Sequence, residues 1–487
     1  MKKVQKSILQ KSWMWIPLAI LYFLSGCNQN HPIILFNGKT LDGWEVKGNP
    51  EVWKVSGDIL SAGGSGATLF YTGNTMNVDF KNFEFSTDIK TTEGATAGIF
   101  FHTALSDDID PVKGFQCMVA NPFSHKKSYP GNQEKRATGS LRDVRNLTRS
   151  VVSDDEWFNY RITVQGKTIR TYINDQLLVD YTESESPWQT EDGSNMISSG
   201  TFALQSYTPT GSVSFKNMSV KPLPDNMETP GKALEDNEYE SLLRDYYART
   251  QLPLTDFHGH FKKGLTPAQL LEHSRKYGIN YGVAFNCGIK MGFEEEDSLH
   301  HFLDNYERPP GTFLAMQAEG REWVDMFSED AINRFDYVIT DAMTWTNDKG
   351  QRMRLWMPEE THVGDPLDFM DQLVDRTVKI LLEEPVDIFV NATYLPEDIN
   401  DAYDELWTEE RMDKVIDALV KSGVAMELNA RREIPSARFI EKAKAAGVKF
   451  TFGTNNAGPD DLGHLDYCLE LTQQCNLEKS DFWFPDI

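Results

Sequence analysis

The hydrophobic pattern of this chain changes its period once, near position 250, and that change constrains the fold more than any single motif. Before it, short runs alternate apolar and polar residues, as in Asn82-Phe83-Glu84-Phe85-Ser86-Thr87-Asp88-Ile89 and Ser212-Val213-Ser214-Phe215, with Gly, Asn and Asp between the runs. Such alternation puts one face of a strand on a core and the other in solvent. After it, short apolar runs alternate with amphipathic helical stretches, the pattern of parallel strands joined by crossover helices. One layered architecture cannot satisfy both patterns. At 487 residues the chain is long enough for two or three domains, at roughly 150 residues each.

The first region, residues 33–223, reads as an all-β jelly-roll sandwich, with no helix-period segment among its strands. Ile169 to Ile173, then Asn174-Asp175, then Leu177 to Tyr181 predicts a hairpin closed by a tight turn. Residues 224–250 form a proline-initiated linker with an acidic cluster and an amphipathic piece from Tyr239 to Tyr247. Residues 251–487 predict strands at Leu254 to Phe257, Tyr281 to Phe285, Thr312 to Gln317, Tyr337 to Thr340, Ile388 to Asn391, Ala425 to Asn429 and Lys449 to Phe452. Helices fall between them, for example Ala268 to Tyr277 behind the cap Thr266-Pro267, and Phe369 to Leu382. About seven strands in this length indicate a distorted TIM-like α/β barrel, whose reactive residues sit just after each strand.

That rule selects His258 and His260, then Asn286 and Cys287, Glu319 with Arg321 and Glu322, Asp341, Asn391, Asn429, and Asn455 with Asn456; Arg321, Arg352, Arg354, Arg431 and Arg432 are further candidates for holding an anionic or hydroxyl-rich substrate. On a strand, His258 and His260 share a face, and two imidazoles so presented can hold one divalent cation. Each lone Asp or Asn also has a bland reading as a helix cap.

The N-terminus carries Lys2, Lys3, Lys6 and Lys11, then an apolar run from Trp13 to Phe23, then Leu24-Ser25-Gly26-Cys27. The run is too short to span a membrane and reads as an export signal. Its end resembles the bacterial lipoprotein signal, which implies a signal peptide over residues 1–27, lipidation at Cys27 and a lipid-anchored place in the cell envelope. The net charge of −25 argues against a nucleic-acid partner, since phosphate backbones are bound by clustered Lys and Arg. Cys117, Cys287, Cys468 and Cys475 have no zinc-ribbon or disulfide-framework spacing and are expected to be buried fillers.

Several stretches of the first region resemble the 3-keto-disaccharide hydrolase domain, a concanavalin-like jelly roll. They are Leu35-Phe36-Asn37-Gly38-Lys39-Thr40-Leu41-Asp42-Gly43-Trp44, Gly114-Phe115-Gln116-Cys117-Met118-Val119-Ala120-Asn121, Thr138-Gly139-Ser140-Leu141 and Gly200-Thr201-Phe202-Ala203-Leu204-Gln205. The resemblance implies attack on glycosides already oxidised at C3. A ketone there acidifies the proton at C2, so a base can remove it and the glycosidic oxygen can leave. Candidates on the concave face are His102, Gln116, Asn121, Arg136, Ser140, Arg142 and Arg145. Many relatives carry glutamate at the Gln116 position and arginine at the His102 position.

The second region resembles the polymerase-and-histidinol-phosphatase (PHP) barrel. Asp256-Phe257-His258-Gly259-His260 matches its opening Asp-x-His-x-His, and Gln317-Ala318-Glu319-Gly320 its Gly-x-Glu motif. Asn286-Cys287, Asn391, Asn455 and Ala457 stand where that family places further ligands. The resemblance therefore implies one metal, zinc or manganese, held by His258, His260 and Glu319 with help from Asp341 or His464, and a metal-activated water. The combined expectation is an exported hydrolase of carbohydrate catabolism. Its rivals are a glycan-binding lipoprotein with an inactive barrel, and a metal-dependent phosphoesterase.

Overall fold

The computed structural model describes residues 31–485 apart from 74–77, 123–133, 186, 188–193, 209, 236 and 348, so the expected signal peptide and Cys27 lie outside the described residues. The N-terminal region is a sandwich of two antiparallel sheets. One runs in the order Gln176–Thr182, Thr168–Ile173, Phe158–Gln165, Asn82–Thr91, Val213–Leu223, Ile59–Ala62, Trp53–Ser56, with Ile33–Ile34 added beside Val213–Leu223. The other runs Trp44–Gly48, Ser65–Tyr71, Thr201–Tyr207, Thr96–Thr103, Phe115–Ala120. Period-two alternation produces the core directly: Phe83, Phe85, Phe101, Phe115, Phe202 and Phe215 all point between the sheets and are fully buried. Asn174 and Asp175 both take positive φ, 47° and 64°, which is the twist a two-residue hairpin turn needs.

The C-terminal region is a closed barrel of seven parallel strands: Thr255–Gly259, Asn280–Cys287, Phe313–Ala318, Tyr337–Thr340, Ile388–Phe389, Ala425–Asn429 and Phe450–Gly453. The helix Pro267–Tyr277 begins in a capping box between Thr266 and Gln269 and ends on Gly278 at φ 72°. Pro366–Glu383 and Glu409–Ser422 cover the outside. Phe257, Phe313 and Tyr337 fill one end of the barrel beneath Trp483 and Phe484. Cys117, Cys287, Cys468 and Cys475 are free and buried, as their spacing predicts. No helix among the described residues is long and apolar enough to cross a membrane.

Between the two regions, the helix Asn237–Thr250 packs on the barrel's last helix, Asp466–Gln474. Its Glu240 receives Arg145 Nη2 from the sandwich. Thr148 N donates to Asn280 Oδ1 (2.9 Å), Asn280 Nδ2 donates to Asn146 O (2.9 Å), and Arg149 Nη1 donates to Asp336 Oδ2 (2.8 Å). Asn280 opens a barrel strand and Asp336 immediately precedes one. The sandwich therefore docks on the N-terminal ends of the barrel strands and leaves their C-terminal ends open.

Candidate functional site

Two polar cavities carry chemistry. The first, about 460 Å³, lies on the outer face of the five-stranded sheet and is lined by Asp110, Gln116, Arg142, Asp143, Gln205 and Tyr207 among others. Alternation explains the lining: Phe115, Cys117, Phe202 and Leu204 face the core, which turns Gln116, Gln205 and Tyr207 outward. Arg142 Nη1 donates to Gln116 Oε1 (2.6 Å), and Gln116 Nε2 donates to Tyr207 Oη (3.1 Å). Tyr207 Oη donates to Gln205 Oε1, and Gln205 Nε2 donates to Asp110 Oδ1 (2.9 Å). Burial pushes the Tyr207 phenol up to about 12. Gly98 lies under this chain without a side chain because a Cβ there would strike the Gln116 amide.

Of the concave-face residues expected from sequence, Gln116 and Arg142 line the cavity and the others do not. His102 is turned away by a positive φ of 56°, next to a register shift in the pairing of its strand. It sits fully buried against Phe83 and Phe101, with Nε2 on Lys81 O (2.8 Å) and Nδ1 accepting from Ser198 N (3.3 Å). Burial lowers its pKa to about 4, so it stays neutral. Asn121 joins Thr91, Asp154, Thr138 and Ser150. Ser140 caps its own turn through Ala137 O and Leu147 N. Arg136 pairs with Glu134 and Asp143, and Arg145 with Glu240 in the linker helix. These are structural positions, each with its polar atoms committed locally. Gln205, Tyr207 and Asp110 were missed, although Gln205 and Tyr207 follow from the same alternation that exposes Gln116.

The second cavity, about 430 Å³, is the mouth of the barrel. Asn286, Glu319, Asp341, Asn391, Arg431 and Asn455 line it together with Lys262, Gln317 and Trp356. Glu319 Oε1 accepts from Asn286 Nδ2 and Gln317 Nε2 (both 3.0 Å), and Oε2 accepts from Thr344 Oγ1 (3.2 Å). Asp341 Oδ2 accepts from Asn391 Nδ2 (3.0 Å). Burial, then the neighbouring Asp341, raises Glu319 to about 8; burial also raises Asp341. Burial, then Arg431, lowers Lys262 to about 8.

His258 and His260 are buried beneath this mouth, their rings 5.1 Å apart. His258 Nδ1 lies 2.6 Å from Glu427 Oε1, and its Nε2 lies 3.3 Å from Gln317 Oε1. His260 Nδ1 meets Ala284 O (2.9 Å), and its Nε2 has no hydrogen-bond partner. Among the described residues no group of three His, Cys, Asp or Glu side chains is placed to hold a metal ion. The expected set of His258, His260 and Glu319 is not brought together, because the Gln317 amide stands between His258 Nε2 and the Glu319 carboxyl group. The donor set thus does not fit a zinc or manganese centre. His464 is exposed and lines a different cavity with His273, Lys276 and Tyr277. Arg321 lies behind the mouth, donating to Glu384 Oε1 and Asp341 O. Asn429 is fully buried, holding Asn391 and Glu427. Glu427 and Gln317, both missed, sit two residues before Asn429 and Glu319 and share their faces. Gly453 leaves room for the Glu427 carboxyl group, which a Cβ would displace.

Comparison with known proteins adds to this geometry. Residues 31–221 match the family model of the 3-keto-alpha-glucoside-1,2-lyase-like domain. A "3-keto-disaccharide hydrolase" of Bacteroides thetaiotaomicron is 25% identical over 167 residues, covering 31% of this chain and 58% of that relative's length. Among solved structures, a Parabacteroides distasonis protein provisionally named a glycosyl hydrolase is 20% identical, over 40% of this chain and 94% of that one, with a TM-score of 0.32. The carbohydrate binding module CBM66 of Bacillus subtilis is 15% identical, over 38% and 97%, with a TM-score of 0.26. Residues 31–221 are thus similar to the 3-keto-disaccharide hydrolases, and the barrel lies outside the match.

Proposed function

We propose that this chain is an exported, lipid-anchored protein of carbohydrate breakdown whose sandwich cleaves 3-keto-glycosides in its outer-face cavity. The observation that carries the reading is the chain of bonds from Arg142 through Gln116, Tyr207 and Gln205 to Asp110, inside the region that matches the family model. A 3-keto-glycoside seated there presents an acidified C2 proton and a carbonyl oxygen that gains charge as the proton leaves. Asp110 accepts the proton. The Arg142 guanidinium stabilises the enolate oxygen. Tyr207, whose phenol stays protonated at neutral pH, donates to the departing glycosidic oxygen. Every proton in this scheme is held by a side chain of the sandwich, and no step passes through a metal ion.

The barrel is read as a divergent PHP-like one. Support comes from Asp-x-His-x-His on its first strand and from a mouth lined at the C-terminal strand ends. Its donor set gives it the role of a ligand cavity instead of a metal centre.

The test is incubation of the purified chain, starting after Cys27, with a 3-keto disaccharide and its unoxidised parent. Chromatography should show release of two monosaccharide-derived products from the 3-keto compound only. Tyr207→Phe and Arg142→Gln should each lower the rate by about 100-fold, the usual scale for an acid or an oxyanion partner, without shifting the melting temperature. Saturable binding without turnover would replace this reading with that of a glycan-binding lipoprotein. Mass spectrometry of the membrane-extracted N-terminus tests the anchor; an unmodified Cys27 would remove it.

A further inference from the structure

We propose that the barrel mouth is a second ligand site, taking a monosaccharide-sized polyhydroxylated anion, either a sugar carboxylate or a sugar phosphate. The inference is independent of the activity proposed for the sandwich, which docks on the opposite end of the barrel.

Charge is the first ground. In a chain of net charge −25, five cations, Lys262, Lys290, Arg354, Arg431 and Arg432, converge on one cavity of about 430 Å³. Arg354 is neutralised by Glu360, and Arg431 lies 3.6 Å from Asp461. The other three, Lys262, Lys290 and Arg432, form no ion pair among the described residues. Lys262 Nζ donates only to the neutral amide oxygen of Asn455 (3.4 Å). Arg432 stacks 4.7 Å from the Tyr394 ring, and its Nε is buried with no hydrogen-bond partner. The two carboxyl groups in the mouth, Glu319 and Asp341, are held by Asn286, Gln317, Thr344, Met343 N and Asn391 and form no ion pair with these cations, although Glu319 still acts on Lys262 through space. Low-dielectric walls around unpaired cations focus a field that draws anions out of solution.

Shape and polar lining supply the second ground. A volume of about 430 Å³ is ample for a hexose-sized molecule. The amides of Asn286, Asn391 and Asn455 face the same space as the half-buried Trp356, giving hydroxyl partners and an aromatic wall. An aromatic face with convergent amides suits a sugar ring, and a guanidinium beside an ammonium suits its oxyanion.

Isothermal titration of the full chain after Cys27 with glucuronate, glucose 6-phosphate, glucose and inorganic phosphate tests the site. One or both of the sugar anions should bind and raise the melting temperature, and glucose should bind at least 10-fold more weakly. Preference for glucuronate or for glucose 6-phosphate identifies the oxyanion. Lys262→Gln and Arg432→Gln should each weaken binding about 10-fold or more and flatten its salt dependence, leaving the unliganded melting temperature and any turnover at the sandwich unchanged. Absence of binding by both sugar anions, equal binding of glucose, binding of inorganic phosphate as tight as that of the sugar anions, or unaltered affinity in the Lys262→Gln/Arg432→Gln double variant would overturn the proposal.

Discussion

His102 shows how a single torsion decides what a residue does. Alternation along Thr96–Thr103 places His102 on the same face as Gly98 and Phe100, hence in the cavity, but its positive φ turns the ring inward among phenylalanines. Nothing in a sequence of alternating residues marks that torsion, which is why the expectation that His102 lines the concave face does not hold. Its burial has a consequence for pH. The ring's pKa falls from 6.5 to about 4 in the folded chain, so between those values the unfolded chain binds a proton that the folded one refuses. Stability from this group is therefore fully present above pH 6.5 and is lost as pH falls toward 4, by about 3 kcal/mol in all. His273, bonded to the Tyr281 hydroxyl and lowered to about 4, acts in the same direction. Melting curves should show a smaller drop between pH 7 and pH 4.5 in His102→Gln than in the parent. Equal drops would mean that the ring is protonated in the fold.

Elements were far more legible than residues. The seven barrel strands, the Thr266 cap and the 174–175 turn follow from periodicity and turn chemistry, because each depends on neighbours within a few residues. The barrel mouth was half legible: strand-end logic found Asn286, Glu319, Asp341, Asn391 and Asn455, yet not Gln317, whose amide keeps His258 and Glu319 apart across 59 and 2 residues of sequence. Which side chain occupies the space between two others is a long-range fact that strand position alone does not supply. Packing at the element scale also gives a prediction at Gly98. The three nearest neighbours of a methyl group there are all side-chain atoms of Gln116, so the strand accepts it once the amide leaves Arg142 and Tyr207. Gly98→Ala should change stability by no more than about 1 kcal/mol, the worth of a hydrogen bond or so, and lower turnover of a 3-keto disaccharide at least 10-fold. A loss of folding, or full activity with Gln116 displaced, would refute the assigned role of that amide.

At the scale of the whole molecule, the decisive feature is where the two regions meet. Arg145, 3% exposed at its side chain, is held by Glu240 Oε1, Val144 O (2.7 Å) and Lys276 O (3.2 Å), and lies over the Tyr181 ring. Thr148 Oγ1 meets Thr255 Oγ1 at 2.7 Å, and Asp336 accepts from both Arg149 and Arg308. Polar groups this buried are costly to uncover, so separating the sandwich from the barrel would strand several at once. The two regions should therefore unfold together, in one calorimetric transition, despite having separate cores. Removing one partner of the buried ion pair leaves the other without compensation: Arg145→Ala should cost about 3 kcal/mol. Adding Glu240→Ala to Arg145→Ala should cost less than the sum of the two single changes, the sign of a direct coupling. Arg145→Ala combined with Arg149→Ala should then resolve the single transition into two, as each core is left to melt at its own temperature. Two transitions in the parent chain, or strict additivity in the cycle, would show that the contact between the regions contributes no cooperativity and that the barrel's open mouth is not held at a fixed orientation by the sandwich behind it.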